Sequence, residues 1–118
     1  MGKIELVQGD TSGIYKFQRK YKGGGVITTL PQKMWITFKK STNYTEAVFQ
    51  KTLDDGIEFS EDDYYYRFQI LPNDTNNLCC DTYGYDIAII NEIGEKKTLL
   101  KNGVLKIEDH YTHKNNEV

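Results

Sequence analysis

Alternation of apolar and polar side chains with a period of two recurs along nearly the whole chain, and sustained helical spacing is hard to find anywhere. Successive side chains of a strand point to opposite faces, so this period selects half-buried β-strands. "KIELVQ" (3–8) sets Ile4 and Leu6 against Lys3, Glu5 and Val7, and "GIYKFQRKY" (13–21) sets Tyr15 and Phe17 against Lys16 and Gln18. "MWITFKK" (34–40) sets Met34, Ile36 and Phe38 against Trp35, Thr37 and Lys39. "YYYRFQIL" (64–71) places Tyr64, Tyr66, Phe68 and Ile70 opposite Tyr65, Arg67, Gln69 and Leu71, while "TYGYDIAII" (82–90) carries Tyr83, Tyr85, Ile87 and Ile89 on one side.

Turn chemistry punctuates these runs. "VITTL" (26–30) is a short β-branched strand that stops at Pro31, and "GGG" (23–25) reads as a flexible hairpin tip. After "EAVFQKT" (46–52), the Asp-Gly of "LDDGI" signals a hairpin, and Asn102-Gly103 signals another. "PNDTNN" (72–77) holds residues that preset φ or bond their own backbone in turns, and Gly94 marks one more reversal. At 118 residues the chain fits one domain. The expected fold is all-β: an antiparallel immunoglobulin-like β-sandwich of about seven to nine strands over residues 1–109, followed by a polar C-terminal tail at 110–118. A small closed barrel is the alternative. Tyr83 or Tyr85, near the start of the penultimate strand, fills the place of a tyrosine corner. Trp35, on the third strand, is the expected centre of the core. No Cys…Trp…Cys spacing exists, which excludes an antibody-type disulfided domain.

Charge and hydropathy exclude several function classes. Fifteen Lys and Arg against seventeen Asp and Glu give a net charge of −2 with no basic face, so nucleic acid is not an expected partner. The longest apolar run, "IAII" (87–90), is far too short to span a membrane, and "MGKIELVQGD" lacks a signal peptide's apolar segment. Synthesis in a cytoplasm is expected.

Sites of chemistry are weak. Cys79 and Cys80 are adjacent, at a Cα separation of about 3.8 Å that strains a mutual disulfide. A zinc site needs His110 and His113 from the chain's far end, so the expected arrangement is one thiol in the core and one outside. The carboxylates of Asp54 and Asp55, and of Glu61, Asp62 and Asp63, read as solvated loop charge rather than as a calcium or glycosidase site. Neither an enzyme nor a cofactor or metal is expected. Tyrosine is the better recognition residue. Most of the aromatics are expected in the core, with Tyr65, together with Tyr44 or Trp35, as a candidate surface patch for a sugar or a protein.

The series "QGDTSGIYKFQRK" (8–20), "MWITFKKS" (34–41), "AVFQKTLDDGIEF" (47–59), "YRFQILPNDTNNL" (66–78) and "YGYDIAIINEIGEKKTLLKNGVLKI" (83–107) resembles the N-terminal immunoglobulin-like module of baseplate upper proteins from phages and prophages of Gram-positive bacteria. The resemblance covers residues 4–108. It implies a structural role as an assembly or docking module within a virion tail or baseplate, reached after synthesis in the host cytoplasm. Its implied partners are other tail or baseplate proteins and, with them, copies of itself. "KFQRKYK" (16–22) and "EKKTLLK" (95–101) read as lysine-guarded strand edges in a monomer or as mating edges in an assembly. The competing reading is a carbohydrate-binding sandwich for cell-surface polysaccharide, with Trp35, Tyr44 and Tyr65 as stacking rings.

Overall fold

Eight strands run through residues 2–40 and 47–109, the part of the chain that this computed structural model describes. They are β1 (Lys3–Val7), β2 (Tyr15–Gln18), β3 (Lys33–Lys39), β4 (Ala47–Leu53), β5 (Gly56–Phe59), β6 (Tyr65–Phe68), β7 (Thr82–Ile90) and β8 (Lys96–Glu108). A single helical turn, α1 (Pro72–Thr75), interrupts them. The sheet order is β1-β8-β7-β3-β4-β5-β6-β2, and the sheet curls round its own apolar face.

The all-β expectation holds, but the sheet is mixed. β1 lies parallel to β8, from Lys3 beside Val104 to Val7 beside Glu108. β4 and β5 are also parallel and touch only at Thr52–Gly56 and Leu53–Ile57. This corrects the hairpin expected at "LDDGI": Asp54 (φ 66°) and Gly56 (φ 107°) both take left-handed backbone, and the chain resumes in its original direction. The expected hairpin at Asn102-Gly103 is likewise absent. β8 passes through unbroken, with Asn102 at φ 62° beside a register shift against β7, which is the mark of a bulge. "VITTL" forms no strand; it bridges Val26 to Lys20 across the glycine turn, and the Ile27 N–H donates to the Arg19 carbonyl at 2.9 Å.

The period-2 pattern did locate the core. Ile4 and Leu6, Met34, Ile36 and Phe38, Tyr66 and Phe68, and Tyr83, Tyr85, Ile87 and Ile89 are all buried, joined by Ile57, Leu105 and Ile107. Each such side chain is worth about 1.5–3 kcal/mol of transfer free energy. Phe38 stacks on Phe49 at 4.2 Å between centroids and tilts against Tyr85 at 5.3 Å. Tyr66 sits between Phe17 and Phe59. Trp35 corrects the expectation: alternation turns it away from Met34, Ile36 and Phe38, and it lies half-buried on the outer face.

Polar side chains bind the connections to this core. Gln8 donates through Nε2 to the carbonyls of Thr75, Asn76 and Leu78, satisfying groups that the single turn of α1 leaves over. Ser12 and Ile70 exchange hydrogen bonds of 2.9 Å, one through the Ser12 hydroxyl. The segment 8–14 thereby carries the chain from one end of the sheet to the other.

Candidate functional site

The two expected surface aromatics that lie among the described residues, Trp35 and Tyr65, do not form one patch. Trp35 is on β3 and Tyr65 on β6, three strand steps apart, and both are half-buried. Tyr44 lies outside the described residues, as do His110 and His113. Tyr65 instead keeps company with cations: Lys16 Nζ is 4.8 Å and the Arg67 guanidinium 5.9 Å from its ring centre. Arg67 in turn holds Asp63, whose carboxyl is lowered to about 2 mainly by that hydrogen bond and by the Tyr65 N–H. Tyr64, read on the same face as Tyr66, leaves the pattern because its backbone is left-handed (φ 61°).

Of the two architectural tyrosines, Tyr83 donates its hydroxyl to the Cys79 carbonyl at 2.7 Å, four residues upstream. Tyr85 reaches across to the Gly2 carbonyl, also at 2.7 Å. Burial pushes both phenols up. Cys79 and Cys80 are both exposed, which corrects the expected inside–outside split: they belong to a connection ahead of β7, where the alternation of a strand does not apply. Among the described residues no group of three or more His, Cys, Asp or Glu is placed to hold a metal ion. Asp54, Asp55, Glu61 and Asp62 are exposed.

A cleft of about 410 Å³ opens at the β4–β5 junction, where Lys51, Asp54, Glu58, Arg67 and Gln69 meet the exposed apolar side chains of Ile14 and Leu71. Its cations are already engaged. Lys51, directly opposite Ile36 in the core-facing row, has a side chain only 7% exposed and pairs with Asp74 Oδ2 at 2.8 Å. That same oxygen accepts the Leu71 N–H, so one carboxylate both starts α1 and neutralises the lysine.

A second buried cation, Arg19, sits 5% exposed just past β2 and binds Glu92 in the β7–β8 turn at 2.8 Å, and the Thr29 carbonyl at 3.2 Å. Thr29 also donates its hydroxyl to Glu92. Hydrogen bonds, from Arg19 first, hold the Glu92 carboxyl down at about 2. Neither Lys51 nor Arg19 was singled out in the sequence, although alternation puts Lys51 in register with Phe49 and Arg19 in register with Tyr15 and Phe17, on core-facing rows where a charge needs a partner.

The remaining feature is what the sheet leaves unpaired. β1 and β2 are its two ends, so each has a bare outer side among the described residues. β8 is longer than its neighbour β1, which covers only Val104–Glu108, so the outer side of 96–103 is also without a ladder partner there. "EKKTLLK" thus falls on an open edge, whereas of "KFQRKYK" only Lys16–Gln18 does so, since Arg19, Lys20 and Tyr21 pair with residues 25–27 across the glycine turn. The β1 edge was not singled out in the sequence, although its alternating Lys3 and Glu5 were legible. No family model matches the chain, and no curated protein matches it.

Proposed function

We propose that this chain is a structural, non-enzymatic component of a phage or prophage tail or baseplate, working as a protein–protein assembly or docking module. The observation that carries the reading is the open sheet: among the described residues both terminal strands and the 96–103 stretch of β8 have backbone without a ladder partner on their outer side, the groups through which strand addition joins chains. The ordered motifs over residues 4–108 supply the tail context. The fold is read more finely as an immunoglobulin-like sandwich. The two-residue junction of β4 with β5 divides the sheet into β1-β8-β7-β3-β4 and β5-β6-β2, whose apolar faces contribute to one core. The bond from Tyr83 to the Cys79 carbonyl supports the same reading as a tyrosine corner.

The partners are other tail or baseplate proteins, and the place of action is the particle after synthesis in the host cytoplasm. A polysaccharide-binding role has less support, because Trp35 and Tyr65 are separated by two intervening strands. Mass spectrometry of purified particles tests the proposal. Recovery of the chain in fixed stoichiometry with tail proteins is the expected result, and its absence from particles while abundant in the lysate overturns the assignment.

A further inference from the structure

The three open edges differ in charge. The bare stretch of β8 carries Lys96, Lys97 and Lys101 with no acid, and none of these lysines forms an ion pair with a described residue. Pairing that stretch antiparallel with itself sets lysine against lysine, and register shifts against β7 interrupt its ladder. β2 carries Lys16 and no acid. Only β1 combines both signs, with Lys3 and Glu5 on the same exposed face, 3.0 Å apart, their side chains 59% and 54% exposed.

The backbone of β1 fixes which groups are free. The Gly2 carbonyl accepts the Val104 N–H, and the Gln8 N–H donates to the Glu108 carbonyl, so even-numbered residues face β8. Lys3, Glu5 and Val7 therefore turn their N–H and C=O outward. In an antiparallel pairing of two identical strands, outward residues must stand opposite outward residues. Two registers qualify near the middle of β1. One puts Glu5 opposite Glu5 and Lys3 opposite Val7, whose carbonyl already accepts the Asp10 N–H at 3.0 Å. The other is centred on Ile4 and puts each Lys3 opposite the Glu5 of the second copy.

We infer that the β1 edge is a self-complementary contact, through which a second copy of this chain adds its own β1 antiparallel about a two-fold axis at Ile4. Each Lys3–Glu5 pair then exchanges both backbone hydrogen bonds and sets opposite charges side by side, and the two sheets become one continuous sheet. The contact is isologous, so it closes at a dimer and leaves β2 and the lysine-rich stretch of β8 free. The inference rests on the reading of the chain as an assembly module, and names one of its partners.

Light scattering on the full chain, with reductant present for Cys79 and Cys80, tests it across a wide concentration range. The wild type forms a concentration-dependent dimer. Lys3→Glu and Glu5→Lys each set like charges opposite one another twice and weaken it about tenfold. The double variant K3E/E5K regains affinity to within about threefold of wild type, because the pairs are restored with reversed sign. Circular dichroism confirms that the variants, changed only at exposed positions, remain folded. A wild type that stays monomeric at its solubility limit overturns the inference, as does a dimer indifferent to either single reversal. Either result, with the chain still recovered in particles, leaves the tail assignment standing.

Discussion

Arg19 and Glu92 join opposite reaches of the sheet: the guanidinium just beyond the terminal strand β2 grips the carboxylate in the β7–β8 turn. The Glu92 carboxyl is held at about 2, against an ordinary 4.5. The unfolded chain therefore binds more protons than the folded one between those values. The contribution is complete above about pH 4.5 and is lost as the pH falls toward 2. Urea unfolding of Glu92→Gln is expected to show a loss of about 1–2 kcal/mol at pH 7 that shrinks toward pH 2. A loss independent of pH contradicts this account.

Tyr66 presents the opposite case. Among the described residues neither its buried hydroxyl nor Arg19 Nε has a hydrogen-bond partner of good geometry, although the phenol and the guanidinium are close enough to interact. Removing an unsatisfied hydroxyl while keeping the ring relieves a desolvation cost. Tyr66→Phe is expected to be neutral or to stabilise by up to about 1 kcal/mol in the same unfolding assay. A loss above about 1 kcal/mol shows the hydroxyl to be bonded in solution.

Gly103 lies under the Tyr85 ring, and a Cβ there would fall 2.6 Å from ring carbons Cε1 and Cζ. The ring has little room to yield, since its hydroxyl is tied to the Gly2 carbonyl and its face packs on Phe38. Gly103→Ala is expected to cost about 2 kcal/mol or more. Adding Tyr85→Leu to Gly103→Ala should cost less than Tyr85→Leu costs alone in wild type, a coupling that a double-mutant cycle by denaturant unfolding measures directly.

Lys51 and Asp74 make a prediction about asymmetry. Asp74→Ala strands an ammonium in the core and also removes the acceptor of the Leu71 N–H, so a loss of about 3 kcal/mol is expected. Lys51→Met fills the same space without charge and leaves a carboxylate that is more accessible and still bonded to backbone. Its cost should be smaller, about 1 kcal/mol. Equal losses would show that the ion pair, rather than the stranded charge, sets the energy.

Much of the core was legible in the sequence because alternation is a local property. Ile4, Phe38, Tyr66 and Ile89 could be assigned to the buried face from their neighbours alone. Trp35 was misplaced by its size, against the alternation of its own strand. Asp54 and Asn102 stand in stretches suited to hairpins, but left-handed backbone serves a bulge or a tight parallel step equally well, and long-range pairing decides between them. The partners of Lys51 and Arg19 were hidden for the same reason: Asp74 and Glu92 are separated from them by 23 and 73 residues. Of the candidate site, the lysine-rich edges could be read as charge patterns. The register that exposes Lys3 and Glu5 backbone required β8 to be seen beside β1.

The parallel pairing of β1 with β8 also governs how the domain bears a load. The chain enters β1 at Lys3 beside Val104 and leaves β8 at Glu108 beside Val7, so tension between the two ends runs along the strands. The ladder is then pulled in shear, and its evenly spaced hydrogen bonds resist together instead of unzipping one at a time. A domain built in this way resists rupture along its own polypeptide more strongly than one whose end strands are peeled apart bond by bond.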